Sequence, residues 1–230
     1  MEKIRQDIKD FFVGLTFEEK SHRYSVGGIL IEKSVSTLIK KFYIPFNDEE
    51  KSKAMSERDG TLQQDLLDKW RAHRDERINI GKQTHLFGEL YAFNRNLRPQ
   101  SKYDLGIMKF WNELPDYIIP IVVELPMYHK EKMYAGTPDA ILLNTLTGKL
   151  VLIDYKSNVD IFKNFAGQKM IGCFSNLLDC PYNKYQVQLS YYKILLEQTG
   201  YEVSTTKIIW ITDNGSYRIY DTEDLTQYIK

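Results

Sequence analysis

Cysteine, net charge and long apolar runs are all in short supply. The two cysteines, Cys173 and Cys180, are too few for a disulfide framework and lack the spacing of zinc ligands. Lys plus Arg and Asp plus Glu both number 31 in the 230-residue chain. No overall positive field therefore attracts a polyanion, and a nucleic acid would have to be held by a local patch. No run reaches membrane-spanning length, and the amphipathic start after Met1-Glu2-Lys3 has no apolar signal core. These absences point to a cytoplasmic chain with no membrane partner. The length suits a single packed domain over 1–230. It divides into an N-terminal hairpin and helix at 17–47, a charged helical arm at 48–115, and a core sheet with its helix at 116–220. Aromatic residues are plentiful, with 16 Tyr, which serves base stacking and core packing equally.

The most informative stretch runs from Gly136 to Lys156. Ala140 to Leu143 is apolar, Asn144 to Gly148 has turn chemistry, and Leu150 to Ile153 is an unbroken apolar run, the signature of a strand buried on both faces. Asp139 and Asp154 thus fall at the ends of two paired strands. Alternation along a strand puts Asp154 and Lys156 on one face, roughly 7 Å apart, and turns Tyr155 away so that it offers its carbonyl. Two carboxylates and a backbone carbonyl make a hard oxygen site suited to Mg²⁺ or Mn²⁺. The lysine would hold the attacking water and stabilise charge at phosphorus; neighbouring carboxylates raise a lysine pKa, which argues against a simple base. If the two carboxylates face each other without metal, Asp139→Asn is expected to raise the melting temperature in chelator. The triplet alone is weak, since Asp/Glu-x-Lys is expected about once or more in such a chain, and Asp7-Ile8-Lys9 and Glu49-Glu50-Lys51 also occur.

Arg23 to Val26 and Ile29 to Ile31 flank Gly27-Gly28, a hairpin signal. Ser34 or Ser36 caps a following helix through Phe42, and the same serines with Lys33 could hold a phosphate. Asp48 to Asn94 reads as helical, with breaks at Asp59-Gly60 and near Ile80-Gly81. His85 and Glu89 stand one turn apart on one face; on local grounds alone, such a histidine is more often a satisfied structural residue. Lys102 to Leu114 is a helix, and Ile118 to Met127 a strand with Glu124 as its one acid, either a site carboxylate or half of a salt bridge. Ser157 to Tyr185 is a loop with a short helix, in which Lys163 and Lys169 form a candidate basic lip. A helix from Tyr185 to Gln198 carries Gln188 and Tyr192 at i and i+4. Ile208 to Thr212 and Tyr217 to Tyr220 are late strands, and Asp221 to Lys230 a short closing helix.

Taken together, Gly136-x-x-Asp139, the turn, the apolar run and Asp154-x-Lys156 resemble the PD-(D/E)XK nuclease superfamily. Gly81-x-x-x-His85 ahead of them and Gln188-x-x-x-Tyr192 after them resemble its RecB-like exonuclease branch, which includes phage single-domain exonucleases. His22-x-Tyr24 with the glycine turn and Ser34-Val35-Ser36 resembles an opening common in phage members. The resemblance, over about Phe17 to Leu196, implies an α/β fold with a restriction-endonuclease-like core: a mixed central sheet flanked by helices, with the N-terminal hairpin and helical arm attached. It implies metal binding by His85, Asp139, Asp154 and the Tyr155 carbonyl, catalysis by Lys156, and support of the site or DNA by Gln188 and Tyr192, with Glu124 and Glu89 as weaker carry-overs. It implies a Mg²⁺- or Mn²⁺-dependent exonuclease acting on linear or single-stranded DNA ends in phage or mobile-element recombination and repair, beside a recombinase or single-strand annealing protein. A structure-selective or nicking endonuclease and a catalytically silent DNA-binding partner are the alternatives. The four cysteines of an iron–sulfur cluster are missing.

Overall fold

The computed structural model describes every residue except Lys20, His22 and Lys230; His22 of the opening motif and the last residue of the expected closing helix lie outside the described residues. Helix α1 (Glu2–Phe11) precedes a meander of β1 (Leu15–Glu18), β2 (Arg23–Val26) and β3 (Ile29–Ile31). Gly27 and Gly28 have φ of 56° and 81°, the pair of positive angles that a twisted two-residue hairpin requires. Strand β4 (Lys33–Ser34) leads into α2 (Val35–Ile39).

The arm consists of α3 (Asp48–Asp59) and the first half of α4 (Gln63–Phe93). Its two helices are joined by Gln63 Nε2 donating to the buried Ser52 hydroxyl at 3.1 Å, and Phe46, just ahead of α3, makes an edge-on contact with Trp70 of α4. The break at Gly60 is present, but α4 continues through Ile80-Gly81, contrary to expectation. A lone helical glycine costs only ~1 kcal/mol, and the second half of α4 buries Thr84, Gly88, Tyr91 and Ala92, which outweighs it. A reciprocal cap between Ser101 and Asp104 starts α5 (Lys102–Glu113).

The remaining elements are β5 (Ile118–Val123), β6 (Met127–Tyr128), β7 (Tyr134–Gly136), β8 (Ala140–Asn144), β9 (Lys149–Lys156), α6 (Pro181–Glu197), β10 (Val203–Ile211) and β11 (Tyr217–Asp221). The main sheet has the order β11-β10-β9-β8-β5. Strand β10 runs parallel to β9, and the other neighbours are antiparallel, so the sheet is mixed. Its two faces follow strict alternation. Ile141, Leu143, Leu150 and Leu152 pack with Val187, Leu189 and Leu195 of α6; Ala140, Leu142, Val151 and Ile153 pack with Tyr91 of α4 and Ile107, Phe110 and Trp111 of α5. Covered on both sides, β9 is wholly apolar from Leu150 to Ile153 and meets its first buried charge at Asp154.

Several boundaries differ from the sequence reading. The expected strand Ile118–Met127 is split: β5 stops at Val123, Glu124 turns the chain with φ 46°, and Met127 joins a separate small sheet of β4, β7 and β6. Helix α6 begins at Pro181, a residue whose missing N–H is harmless in a first turn. Strand β10 begins at Val203, its pairing partner Leu150 extending it backwards. The C-terminal segment makes only a short 3₁₀ turn, Thr226–Tyr228, as does Gly172–Phe174 in the long segment after β9.

Candidate metal centre

Pairing of Ala140 with Ile153 brings Asp139, immediately before β8, alongside Asp154 near the end of β9. Both are almost fully buried. Each oxygen of Asp139 has a fixed partner: Oδ1 lies 2.7 Å from His85 Nδ1 on α4, and Oδ2 accepts the Tyr155 backbone N–H. Its carbonyl accepts the N–H of Glu124 at 3.0 Å, which pulls the end of β5 into the same space. Asp154 pairs with the ammonium of Lys156, as alternation along the strand requires, and accepts no hydrogen bond from another residue among those described.

His85, Glu124 and Asp139 each offer a ligand atom, and these atoms lie within 4.8 Å of one another. The expected set is His85, Asp139, Asp154 and the Tyr155 carbonyl; the grouping shares His85 and Asp139 with it and adds Glu124. Glu124, expected inside a strand, sits past its end in a left-handed conformation that non-glycine residues keep only where their surroundings impose it. That turn is what aims it at Asp139. Tyr155 lies against Asp139 through its N–H, and its ring points to the opposite face, as alternation requires. There it packs so closely on α4 that a Cβ on Gly88 would lie 2.5 Å from it. A Cβ on Gly81 would meet only Ser157 Oγ at 3.9 Å. Packing therefore demands the helix glycine after His85 and tolerates a side chain at the one before it.

The electrostatics of the cluster are those of crowded acids. Burial, reinforced by the charges of Asp139, Glu89 and Asp154, pushes the Glu124 carboxyl up to about 9. Burial works to lower the His85 pKa, but the adjacent Asp139 carboxylate outweighs it and the net shift is upward. Asp139 is shifted down: burial opposes this, and the charge and hydrogen bond of His85 prevail. Burial raises Asp154 in spite of the lysine. For Lys156 burial favours the neutral amine, yet Asp154 holds it protonated and its pKa rises. This lysine is a hydrogen-bond donor and a positive charge, not a base.

Two carboxylates and one imidazole form a donor set that could hold a divalent metal ion. The half-buried Glu124 carboxyl, which keeps a proton when no cation is near, is the group a divalent ion would free of it. Asp154 has lone pairs left beside its lysine contact.

The neighbouring residues fall into clear places. Gln188 donates to the Tyr192 hydroxyl at 2.7 Å, and the Asp154 charge adds to burial in raising the Tyr192 pKa, so this pair stands on the α6 side of the acids. A Cβ on Gly136 would come within 2.5 Å of the Tyr192 ring, which accounts for the glycine of Gly136-x-x-Asp139. Ser34 caps α2, accepting from Thr37 N–H at 3.1 Å and lying 2.8 Å from Ser36 Oγ. Both serines, with Tyr24, Gly136 and Tyr192, line a small cavity of about 120 Å³. Lys163 and Lys169 are exposed and form no ion pair among the described residues, whereas Lys184 is committed to Asp179 at 2.5 Å.

Two residues of this neighbourhood carried no signal in the sequence. Tyr185 places its ring 4.5 Å from the Lys156 ammonium and donates to Asn158 Oδ1 at 2.6 Å. Arg77 of α4 donates to the Ser157 carbonyl and so ties down the chain just after Lys156. Both contacts link segments far apart in sequence, where no local pattern operates. No protein-family model matches this chain, and no curated protein is similar to it.

Proposed function

We propose that this protein is a divalent-metal-dependent deoxyribonuclease that degrades linear DNA from an end, on a core of the PD-(D/E)XK kind. The observation that carries the reading is the convergence of His85, Glu124 and Asp139 within 4.8 Å beside the buried Asp154–Lys156 pair. A structural salt bridge needs one acid and one base. Here four carboxylates, counting Glu89, share one imidazole and one ammonium, an excess of negative charge that costs stability unless a cation is bound.

His85, Glu124 and Asp139 would hold the metal, with Asp154 at its edge; when bound, the metal supplies a Lewis acid for a phosphate oxygen and for water. The protein side of the chemistry follows from the residues. Lys156, kept protonated by Asp154, donates to the attacking water or to a non-bridging phosphate oxygen and offsets the negative charge that builds there. The Tyr185 ring restricts its ammonium to the Asp154 side. The Tyr155 N–H and His85 fix the two oxygens of Asp139, so that this carboxylate need not reorganise. Gln188 orients the Tyr192 hydroxyl on the other wall.

The test is incubation of purified protein with linear and with closed circular DNA, in Mg²⁺, in Mn²⁺ and in chelator. Loss of linear DNA only with metal, circles resisting, is the expected result. Rapid opening of circles would favour an endonuclease of the same core. Binding without cleavage in any metal would leave a DNA-binding protein.

A further inference from the structure

We infer that the groove between α1, the β5 edge and the end of α4 is a binding subsite for one nucleotide of an unpaired DNA strand, next to the metal centre. It rests on the nuclease reading for its orientation, not for its existence. A cavity of about 360 Å³ opens there, lined by Arg5 and Lys9 of α1, Phe93 at the end of α4, and Val123, Glu124 and Leu125. Glu124 belongs to the metal set, so the groove and the candidate centre are continuous. Helix α4 joins them a second time: His85, Glu89 and Phe93 follow one another at i+4 steps, ~12 Å from first to last at 1.5 Å per residue.

The charge pattern selects the ligand. All three acids of α1 are engaged, Glu2 with Arg5, Asp7 with the Tyr201 hydroxyl and Asp10 with Gln6. Lys9 is exposed and forms no ion pair among the described residues. Arg5 is pinned by its Nε to the Ile121 carbonyl at 2.8 Å and by Nη1 to Glu2 at 2.7 Å, which leaves Nη2 without a hydrogen bond among the described residues. The outer end of the groove is thus positive, while its inner end is acidic and suited to a cation. A phosphodiester chain satisfies both ends, one phosphate on Arg5 and Lys9 and another at the metal. Phe93 is 54% exposed and has the Arg5 guanidinium 5.8 Å from its ring centre; an aromatic face beside an arginine is a stacking platform for any base. The volume lies at the low end for ligand pockets, about that of one nucleotide unit.

The experiment measures binding of a fluorescent, phosphorothioate-linked dT12, which resists cleavage, to wild type and to Phe93→Ala, Phe93→Tyr, Lys9→Ala and, as a control at the exposed β8–β9 turn, Leu146→Ala. Phe93→Ala should weaken binding about tenfold, Phe93→Tyr should restore it, and Lys9→Ala should lower the salt slope by about one, with Leu146→Ala equal to wild type. No binding by wild type, or wild-type affinity and slope in both Phe93→Ala and Lys9→Ala, overturns the subsite. Cleavage of ordinary linear DNA in Mn²⁺ is followed in parallel. Cleavage with groove-independent binding removes the subsite alone; groove-dependent binding without cleavage upholds the subsite and removes the nuclease reading.

Discussion

Glu124→Gln is the substitution whose effect follows most directly from the geometry. The Glu124 carboxyl is shifted from 4.5 to about 9 in the folded chain. Below about pH 4.5 it is protonated in both folded and unfolded chains, and its contribution to stability is fully present. Between 4.5 and 9 the unfolded chain releases the proton and the folded chain keeps it, so stability falls as pH rises. From about pH 5 to about pH 8 an isolated group would lose ~4 kcal/mol at 1.36 kcal/mol per pH unit. Glu124 is only half-buried, so solvent screens part of this cost, which leaves ~2 kcal/mol. His85, shifted upward, adds a loss in the same direction as pH passes its unfolded value of 6.5, whereas Asp139, shifted down, is ionised in both states over this window. Gln in place of Glu124 keeps the shape and has no proton to release. In chelator, therefore, wild type should lose ~2 kcal/mol more than Glu124→Gln between about pH 5 and pH 8, or about 4–8 °C in melting temperature for a chain of this size. Millimolar Mn²⁺ at the higher pH should reverse the order, because it binds the folded wild-type site and stabilises it by mass action. Thermal melts of both proteins at the two pH values, with and without metal, make the measurement. Parallel pH dependence of the two proteins in chelator would refute the crowding of Glu124. The sequence alone points to Asp139→Asn as the stabilising change, but Asp139 is the acid that His85 and the Tyr155 N–H hold ionised, so Asp139→Asn should lower the melting temperature in chelator.

Three further outcomes are expected. Asp154→Ala and Lys156→Ala should abolish metal-dependent DNA loss with the circular dichroism spectrum retained, and undiminished activity in either removes them from the mechanism. Gly88→Ala should destabilise by ~1–3 kcal/mol through overpacking against Tyr155, while Gly81→Ala, where a methyl makes only an ordinary contact, should stabilise by ~0.5–1 kcal/mol; equal effects in urea unfolding would contradict the packing of α4 on β9. The double variant Lys163→Ala/Lys169→Ala should reduce the salt slope of DNA binding by about two if both lysines contact phosphate, and an unchanged slope puts the DNA path elsewhere.

What the sequence determined by itself is whatever depends on neighbours along the chain. The β8–β9 hairpin, the two-residue glycine turn before β3 and the helix of α5 were legible because turn residues, apolar runs and caps act within a few residues. The pairing of Asp154 with Lys156 was legible for the same reason: a strand repeats every two residues, so one face collects both. His85 and Glu89 share a face of α4 by helical period alone. The tertiary structure decided the rest, because it depends on sums over distant elements. Gly81 breaks no helix, since burial of the residues beyond it outweighs a local propensity. Glu124 became a member of the acid cluster only because Asp139 captures its N–H and bends the end of β5, an event that no pattern around Glu124 records. The ionisation of the cluster was likewise out of reach. Which acid keeps a proton follows from burial and from charges carried by α4, β5, β8 and β9 at once, and these elements meet only when the sheet has formed and the helices have closed over it.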